Sequence, residues 1–331
     1  MHKGLKIMID QRQLVSIGLP TRNRCSLLCG ALDSLLGQTY TNFELIISDN
    51  ASTDETGNIC QEYAARDSRI RYIRQKENIG AVANFKFVAD AARGEYFMWA
   101  TDDDLWEPNF INELLDLHIK NKQAVVTFCA FDNIAFSGEV LKRDPVLFPE
   151  HENLSTYTRF KRFLLDKGGK NNYVYGIFKK EYLHDSNGFR DYDGIPVQYS
   201  SADTFFALEM LIKGPFVSTP KLLWHKRCNS DDFRPERTMR NLSVFKDQKT
   251  LTRKILHFIK TPYYALFAYF NVNAIIKKSF PSFCDRTQLY FWNAYLVLRF
   301  FVGRVSWSLT LLLHFFIGIL DISTKRMAKK P

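Results

Sequence analysis

The chain has 331 residues, which is enough for two modest domains or one large one. With 46% hydrophobic and 24% charged residues, the composition is that of a globular protein and excludes a wholly disordered chain. The net charge of +10 is concentrated at one end: residues 1–250 hold 33 basic and 33 acidic residues, whereas residues 251–331 hold 12 basic and two acidic ones. Such asymmetry is typical of a surface that meets nucleic acid or anionic lipid.

Short apolar runs alternate with helical patterns over the first third of the chain. Strands are predicted at residues 14–19, 43–48, 70–73 and 96–100. A helical pattern follows each of these strands, and the last of them covers residues 108–121 with Pro108 near its first turn. This order predicts βαβ units, and therefore an α/β fold with a Rossmann-like, mixed but mostly parallel sheet.

The pattern changes after residue 122. Residues 124–142 predict a hairpin that turns at Ser137 and Gly138, and residues 154–165 and 201–212 predict helices. Residues 214–227 predict a pair of strands. We therefore expect one domain over residues 12–235, in which the pattern of elements changes at residue 122.

Residues 236–331 predict a basic, aromatic, helical region. Between Phe258 and Phe316 lie 17 of the chain's 48 aromatic residues, set in long apolar runs. This pattern suits a membrane interface better than a nucleic-acid surface, on which single aromatic residues alternate with basic ones. Residues 301–320 could just span a bilayer, but Arg304 would be costly inside it, so a helix pair lying in the interface of an anionic membrane is favoured. The alternative is a helical bundle that packs on the domain of residues 12–235.

Two further features bear on the compartment. The six cysteines form no Cys-x-x-Cys pair, which predicts buried thiols in a reducing compartment rather than a zinc or redox site. The first ten residues contain no long apolar stretch, so we expect no secretory signal. Together with the basic C-terminal region, these features predict a protein in the cytoplasm, bound peripherally to the cytoplasmic face of the membrane.

Polar clusters follow three of the four predicted strands. They are PTRNR after the first strand, DNASTD after the second and TDDD after the fourth. In a parallel sheet these ends meet at one edge, where ligands bind. Clustered carboxylates there can bind Mg²⁺ or Mn²⁺ together with phosphate oxygens. The alternative for Asp102, Asp103 and Asp104 is a solvated helix start.

Residues 14–121 resemble, in the order and spacing of several blocks, the catalytic domain of glycosyltransferase family 2, and a weaker resemblance continues to about residue 231. The matching blocks include LVSIGLPTRNR, FELIISDNASTDET and YFMWATDDDLWEPNFI. The resemblance implies a GT-A-type fold with a nucleotide-binding half at residues 12–122 and an acceptor half at residues 123–235. It also implies transfer of a sugar from a nucleotide-diphosphate donor, with a UDP-sugar favoured, with inversion at the anomeric carbon and with Mg²⁺ or Mn²⁺. The acceptor would be a glycan or a lipid-linked molecule, and nucleic acid is not expected as a partner.

The resemblance also implies roles for single residues in nucleotide binding. Asp49 matches the aspartate that reads the base, normally uracil, and Arg71 is a further candidate to face the base. The remaining matches are Pro20, Thr21 and Asn23 in the first nucleotide-contacting loop, and Asn78 and Gly80 in the Asn-x-Gly step.

The metal motif of the family is matched by counting back from Pro108. This places Thr101 where relatives carry the first aspartate, makes Asp103 the metal ligand, puts Asp102 towards the nucleotide and leaves Asp104 to cap the following helix. In SSADTFFALEML, Asp203 matches the catalytic base. In LLWHKRCNS, His225 is a candidate for a further metal ligand.

The resemblance favours a metal-dependent inverting glycosyltransferase of polysaccharide or glycolipid biosynthesis. Two other classes stay open: a nucleotide-sugar-binding module that has lost transfer, and a nucleotidyltransferase, which also uses paired carboxylates and Mg²⁺. The nucleotidyltransferase would need a glycine-rich phosphate loop, for which GLPTRNR is a poor match.

Overall fold

The computed structural model describes residues 13–144, 154–165, 170–184 and 202–228, with short stretches at 273, 276–279, 281–282, 285–291 and 293–294. The chain divides into two compact units, Met1–Asp247 and Gln248–Pro331. The predicted domain boundaries at residues 122 and 235 stay predictions.

The first unit contains helices and strands in alternation. Its strands are β1 Val15–Thr21, β2 Phe43–Asp49, β3 Ile70–Arg74, β4 Tyr96–Trp99, β5 Leu105–Trp106, β6 Val126–Ala135, β7 Val140–Asp144, β8 Ile177–Lys179 and β9 Phe216–Cys228. Its helices are α1 Cys25–Leu36, α2 Thr56–Arg66, α3 Ala81–Asp90, α4 Phe110–Lys120, α5 Thr156–Leu165, α6 Glu181–His184 and α7 Ala202–Lys213, with a 3₁₀ helix at Lys170–Tyr175.

The described strands form one sheet in the order β3-β2-β1-β4-β8-β6-β9-β5, and β7 pairs with β6. The first four strands are parallel, β8 runs antiparallel to both of its neighbours, and β9 is parallel to β6 but antiparallel to β5. The predicted mixed, mostly parallel α/β sheet is therefore confirmed.

The core lies along the central parallel strands. Every residue of β1 and β2 is buried, as expected for strands covered on both faces by helices. Gly18 in β1 permits this packing, since a Cβ atom there would lie 2.7 Å from Val88 of α3 and 2.8 Å from Phe97 of β4. The register pairs Thr21 with Asp49, so the polar segments after β1 and β2 begin at the same edge of the sheet.

One predicted feature of the remaining strands is confirmed, and two details differ from the sequence-based prediction. The hairpin of β6 and β7 is confirmed, and its turn contains Gly138 at φ +90°. The predicted strand pair at 214–227 is wrong, because β9 is one strand whose register with β6 shifts where Pro220 and Lys221 have no partner. Proline cannot donate to a ladder, so a bulge at that point keeps the strand continuous. The short strands β5 and β8 were not predicted.

Little of the second unit is described. The described part of the predicted helix at 283–299, residues 285–291 and 293–294, is helical. The predicted helices at 253–271 and 301–320 lie outside the described residues. No helix in the described part of the chain has the length and apolar character that crossing a membrane requires.

Candidate active site

A cavity of about 500 Å³ opens at the carboxyl edge of the parallel strands. The polar segments that follow β1, β2 and β4 border it, together with the start of α3. The lining residues are Pro20, Thr21, Arg22, Arg24, Asn50, Asn78, Gly80, Ala81, Asn84, Phe85, Thr101, Asp102 and Asp103. Five predicted nucleotide-binding residues (Pro20, Thr21, Asn78, Gly80 and Asp102) and the predicted metal ligand Asp103 therefore lie together.

The last residue of β1 contributes a buried hydroxyl to the cavity lining. Thr21 is 2% exposed, and its hydroxyl favours the charged form of the Asp102 carboxylate, which lowers the pKa of Asp102 and opposes the effect of burial. Asn23 turns away from the cavity: its backbone adopts φ +54°, and its side-chain oxygen accepts a hydrogen bond from the Thr53 amide at 2.8 Å. Asn23 thus ties two loops together and is not part of the lining, in contrast to its predicted contact with the nucleotide.

Asp49 is fully buried behind the cavity wall. One of its carboxylate oxygens accepts the Ser52 amide at 2.8 Å, and the other accepts the Tyr72 hydroxyl at 3.0 Å and lies 3.6 Å from the Arg74 guanidinium. Burial and the Asp49 charge raise the pKa of Tyr72 to about 12. The structure therefore does not place the Asp49 carboxylate on the cavity surface, where the predicted contact with a base would require it.

Arg71 is not brought to the cavity at all. It lies near the amino-terminal end of β3, where its guanidinium contacts the Glu44 carboxylate at 2.9 Å and the carbonyl oxygen of Ala91 at 3.0 Å. The prediction that Arg71 faces the base is corrected on this point, because the carboxyl ends of the strands are at the opposite edge. The arginine of β3 at that edge is Arg74, which donates to the carbonyl of Ser52 at 2.7 Å.

Asn50 organises the Asn-x-Gly step and was not singled out from the sequence. Its side-chain amide donates to the Asn78 side-chain oxygen at 2.9 Å, and its own oxygen accepts the Ile79 amide at 2.8 Å. Gly80 follows at φ +88° and ψ +157°, a conformation that only glycine adopts readily. No atom lies within 4 Å of where its Cβ would be, so the backbone is open to a ligand. In the sequence, this role of Asn50 is indicated by its position directly after β2.

The three aspartates divide between two surroundings. Asp102 and Asp103 face the cavity, where the Arg24 guanidinium lies 3.4 Å from an Asp102 oxygen and 4.0 Å from an Asp103 oxygen. Burial, reinforced by the charge of Asp103, raises the pKa of Asp102 to about 6, and Arg24 opposes this shift.

Asp104 points away from the cavity and into the protein. It is 2% exposed and accepts hydrogen bonds from the Trp224 indole nitrogen at 3.1 Å and from the Arg227 amide at 2.8 Å. Burial, followed by the charge of Asp103, raises the pKa of Asp104 to about 7. The prediction that Asp104 caps the next helix is wrong, because α4 begins at Phe110 with Asn109 before it.

His225 is held between two carboxylates. Its Nδ1 lies 2.7 Å from Asp132 and its Nε2 lies 2.9 Å from Glu107. Burial would lower the pKa of His225, but the hydrogen bonds to Glu107 and Asp132 outweigh it and raise the pKa. Because each ring nitrogen faces a carboxylate oxygen, which can only accept a hydrogen bond, neither nitrogen has a free lone pair for a metal. The arrangement therefore does not fit the prediction that His225 is a metal ligand.

Asp203 is the second residue of α7 and is partly buried. It is not part of the cavity lining. Burial, followed by the charges of Asp104, Asp203, Asp103 and Asp102, raises the pKa of Tyr175, whose ring is 5.3 Å from that of Trp224. The charges of the predicted base and of the aspartate triplet therefore act on the same tyrosine.

Comparison with known proteins finds relatives whose names describe glycosyltransferases. WcaA of Escherichia coli K12, named for colanic acid biosynthesis, is 35% identical over 189 residues, which is 54% of this chain and 64% of WcaA. TuaG of Bacillus subtilis 168, named for teichuronic acid biosynthesis, is 29% identical over 136 residues, which is 41% of this chain and 54% of TuaG. The chain spans less than two thirds of the length of these relatives.

Solved structures of low sequence identity share the fold. The mannosyltransferase PcManGT from Pyrobaculum calidifontis, in complex with GDP-Man and Mn²⁺, is 16% identical, with a TM-score of 0.50 over 93% of this chain and 87% of that one. TarS of S. aureus is 17% identical, with a TM-score of 0.51 over 74% of this chain and 42% of that one. The family model of glycosyl transferase family 2 matches residues 16–185. The chain therefore belongs to glycosyl transferase family 2.

Proposed function

We propose that this chain is a metal-dependent, inverting glycosyltransferase that uses a nucleotide-diphosphate sugar in polysaccharide or glycolipid biosynthesis. The observation that carries the proposal is the cavity at the carboxyl edge, whose lining contains six of the eleven predicted site residues. The names of WcaA and TuaG, which refer to two surface polysaccharides, support the biosynthetic role.

The donor would occupy the 500 Å³ cavity, whose volume lies in the range of small-molecule sites. The Thr21 hydroxyl and the Asn78 amide at the cavity can form hydrogen bonds to the donor, and the open backbone at Gly80 lets a ligand approach closely. Asp49 would act indirectly, by holding the segment that carries Asn50. The family resemblance favours a UDP-sugar, and the GDP-Man complex of PcManGT makes GDP-mannose the second candidate.

The side chains at the cavity fit a divalent metal bound together with a donor. Among the described residues, no group of three or more His, Cys, Asp or Glu side chains is arranged to hold a metal by itself. Mg²⁺ and Mn²⁺ are commonly held by one or two carboxylates and by substrate phosphates. Asp102 and Asp103 provide two carboxylates at the cavity. When bound, the metal would offset the negative charge of the leaving diphosphate.

Asp203 is the proposed base. An inverting transfer needs a group that takes the proton from the acceptor hydroxyl as the nucleotide diphosphate departs from the opposite face of the sugar. The proposal is supported by the family resemblance and by the charges of Asp203 and of the aspartate triplet, which all act on Tyr175, although Asp203 does not line the donor cavity. The acceptor would therefore approach between the cavity and the start of α7.

We also propose that residues 236–331 bind the anionic cytoplasmic face of a membrane and bring a lipid-linked acceptor to the enzyme. The support is the charge of residues 251–331 and the aromatic content of that region. Co-sedimentation of the full chain with vesicles tests this step. We expect binding to vesicles that contain 30% phosphatidylserine and loss of binding in 0.5 M NaCl, whereas equal binding to neutral vesicles would contradict it.

A panel of nucleotide sugars tests the proposed activity. Release of UDP or GDP from one donor should require Mn²⁺ or Mg²⁺ and should be lost in Asp103→Asn. If the donor binds but no UDP or GDP is released with any of the acceptor extracts supplied, the result would favour the nucleotide-sugar-binding module. Release of pyrophosphate from a nucleoside triphosphate would favour the nucleotidyltransferase.

A further inference from the structure

One arginine contacts both carboxylates that face the cavity. The Arg24 guanidinium lies 3.4 Å from Asp102 and 4.0 Å from Asp103. Of the lysines and arginines in the described part of the chain, it alone is within 4.0 Å of either carboxylate. A positive charge of the protein itself therefore occupies the position that a metal ion would need.

The backbone of Arg24 is fixed although its side chain is not. The Arg24 amide donates to the Thr56 hydroxyl at 2.8 Å, and its carbonyl accepts the amides of Leu27 and Leu28 at 3.1 Å where α1 begins. The side chain is 49% exposed, and in the described part of the chain its ion pairs are those with the two aspartates. The guanidinium can therefore move without unfolding the helix or the loop.

The charge of Arg24 cannot be removed by deprotonation, because a guanidinium stays protonated in proteins. A divalent cation on Asp102 and Asp103 would bind the same oxygens and would be repelled by a guanidinium that stayed in place. Among the residues that the structure describes, the two carboxylates also have no third His, Cys, Asp or Glu side chain arranged with them to hold a metal. Both facts weaken metal binding to the protein alone.

A diphosphate changes this balance. Guanidinium groups form paired hydrogen bonds to phosphate oxygens, and Arg24 lines the same cavity as Asp102 and Asp103. Arg24 can thus leave the carboxylates for the diphosphate, which frees the carboxylates and supplies oxygens for the metal at the same time.

We propose, on the basis of the proposed function, that Arg24 is an internal cation that makes divalent metal binding conditional on the nucleotide diphosphate. In the donor-free protein it neutralises Asp102 and Asp103 and competes with the metal. Once the diphosphate is bound, Arg24 contacts the phosphates and the competition ends. Linkage requires that the metal and the diphosphate then strengthen each other's binding by the same factor.

Mn²⁺ binding, followed by the loss of the electron paramagnetic resonance signal of free Mn²⁺, tests this inference on the full-length protein. Without nucleotide, Arg24→Gln should bind Mn²⁺ at least fivefold more tightly than the unaltered protein. Arg24→Lys keeps the charge and should stay within twofold of it. Arg22→Gln, which removes another arginine of the cavity, is the matched control and should also stay within twofold.

The second arm repeats the titration with UDP or GDP at saturating concentration. The unaltered protein should gain at least tenfold in Mn²⁺ affinity, and Arg24→Gln should gain less than threefold. If Arg24→Gln binds Mn²⁺ without nucleotide no better than the unaltered protein does, the inference is overturned. If no Mn²⁺ binds even with either nucleotide, the metal-dependent function fails instead, so the two failures are distinguishable.

Discussion

The Asp104 carboxylate accepts a hydrogen bond from the Trp224 indole at 3.1 Å, across a separation of 120 residues in the chain. A second hydrogen bond, from the Arg227 amide at 2.8 Å, joins the same carboxylate to the end of β9. Asp104 thus connects the segment after β4, which carries Asp102 and Asp103, with the strand that carries His225. The triplet combines two cavity carboxylates with one structural carboxylate.

We expect Asp104→Asn to destabilise the protein by about 1–3 kcal/mol, because an amide can accept only one of the two hydrogen bonds and turns its own N–H groups towards a donor. The free energy of unfolding in urea at pH 7.5 measures this loss. Asp103→Asn is the matched control, because Asp103 is partly exposed and its removal relieves repulsion among the three acids. Equal losses in both variants would contradict the division of the triplet.

We expect Gly80→Ala to raise the KM for the donor. Alanine at φ +88° costs about 1–3 kcal/mol, and its methyl group would project where a ligand can approach the backbone. Gly138→Ala is the control, since Gly138 has φ +90° in the β6–β7 turn and is not part of the cavity lining. Both variants should lose stability, and only Gly80→Ala should change the donor KM. A donor KM that rises equally in both would show that strain alone is responsible.

We expect Asp203→Asn to lower kcat by about 10²- to 10⁴-fold, the range typical of a lost general base, and to leave the donor KM within twofold. Steady-state kinetics with the donor found in the panel measure both constants. Glu181→Gln in the first turn of α6 replaces an exposed acid at another helix start and should leave kcat unchanged. A small effect of Asp203→Asn on kcat, or a large one on the donor KM, would remove Asp203 from the role of base.

The stability of the fold should fall in mild acid because of His118. This ring is 1% exposed, Nε2 contacts the Ile177 carbonyl at 2.8 Å, and Nδ1 has no partner among the described residues. Burial, aided by the nearby charge of Lys179, lowers the pKa of His118 to about 4. Between that value and about 6.5, the pKa of an unfolded histidine, the unfolded state binds more protons, so stability is lost as the pH falls.

The expected contribution of His118 is about 3 kcal/mol between pH 7 and pH 4. Urea unfolding at several pH values measures it. In His118→Gln the side-chain amide can still donate to the Ile177 carbonyl, but it does not titrate, so its curve should be flatter by that amount. Parallel curves for the two proteins would show that other groups cause the acid sensitivity.

Several features were predictable from the sequence because they depend on local pattern. The alternation of apolar strands with helical patterns predicted the parallel half of the sheet, since strand and helix periodicities differ within a few residues. The polar segments after β1, β2 and β4 were predicted to meet, because parallel strands end at a common edge. The resemblance to glycosyltransferase family 2 was carried by the same segments and is confirmed.

Other features depend on contacts between distant parts of the chain. The sequence predicts Asp104 as a helix cap, because nothing near it in the sequence indicates Trp224 as its hydrogen-bond partner. Arg71 and Arg74 lie three residues apart on β3, and only the pairing of β3 with β2 decides that Arg71 meets Glu44 at one edge and Arg74 meets Asp49 at the other.

The sequence by itself determined the alternation of β1 to β4 with their helices, the family and the edge of the sheet that carries the site. The tertiary structure alone decided which polar side chains of each segment reach the cavity. Asp102 and Asp103 face it with Arg24, whereas Asp49 and Asn23 hold the neighbouring loops from behind. The reason is physical: adjacent residues in a loop point in different directions, and the partners that hold each of them belong to strands and helices remote in the chain.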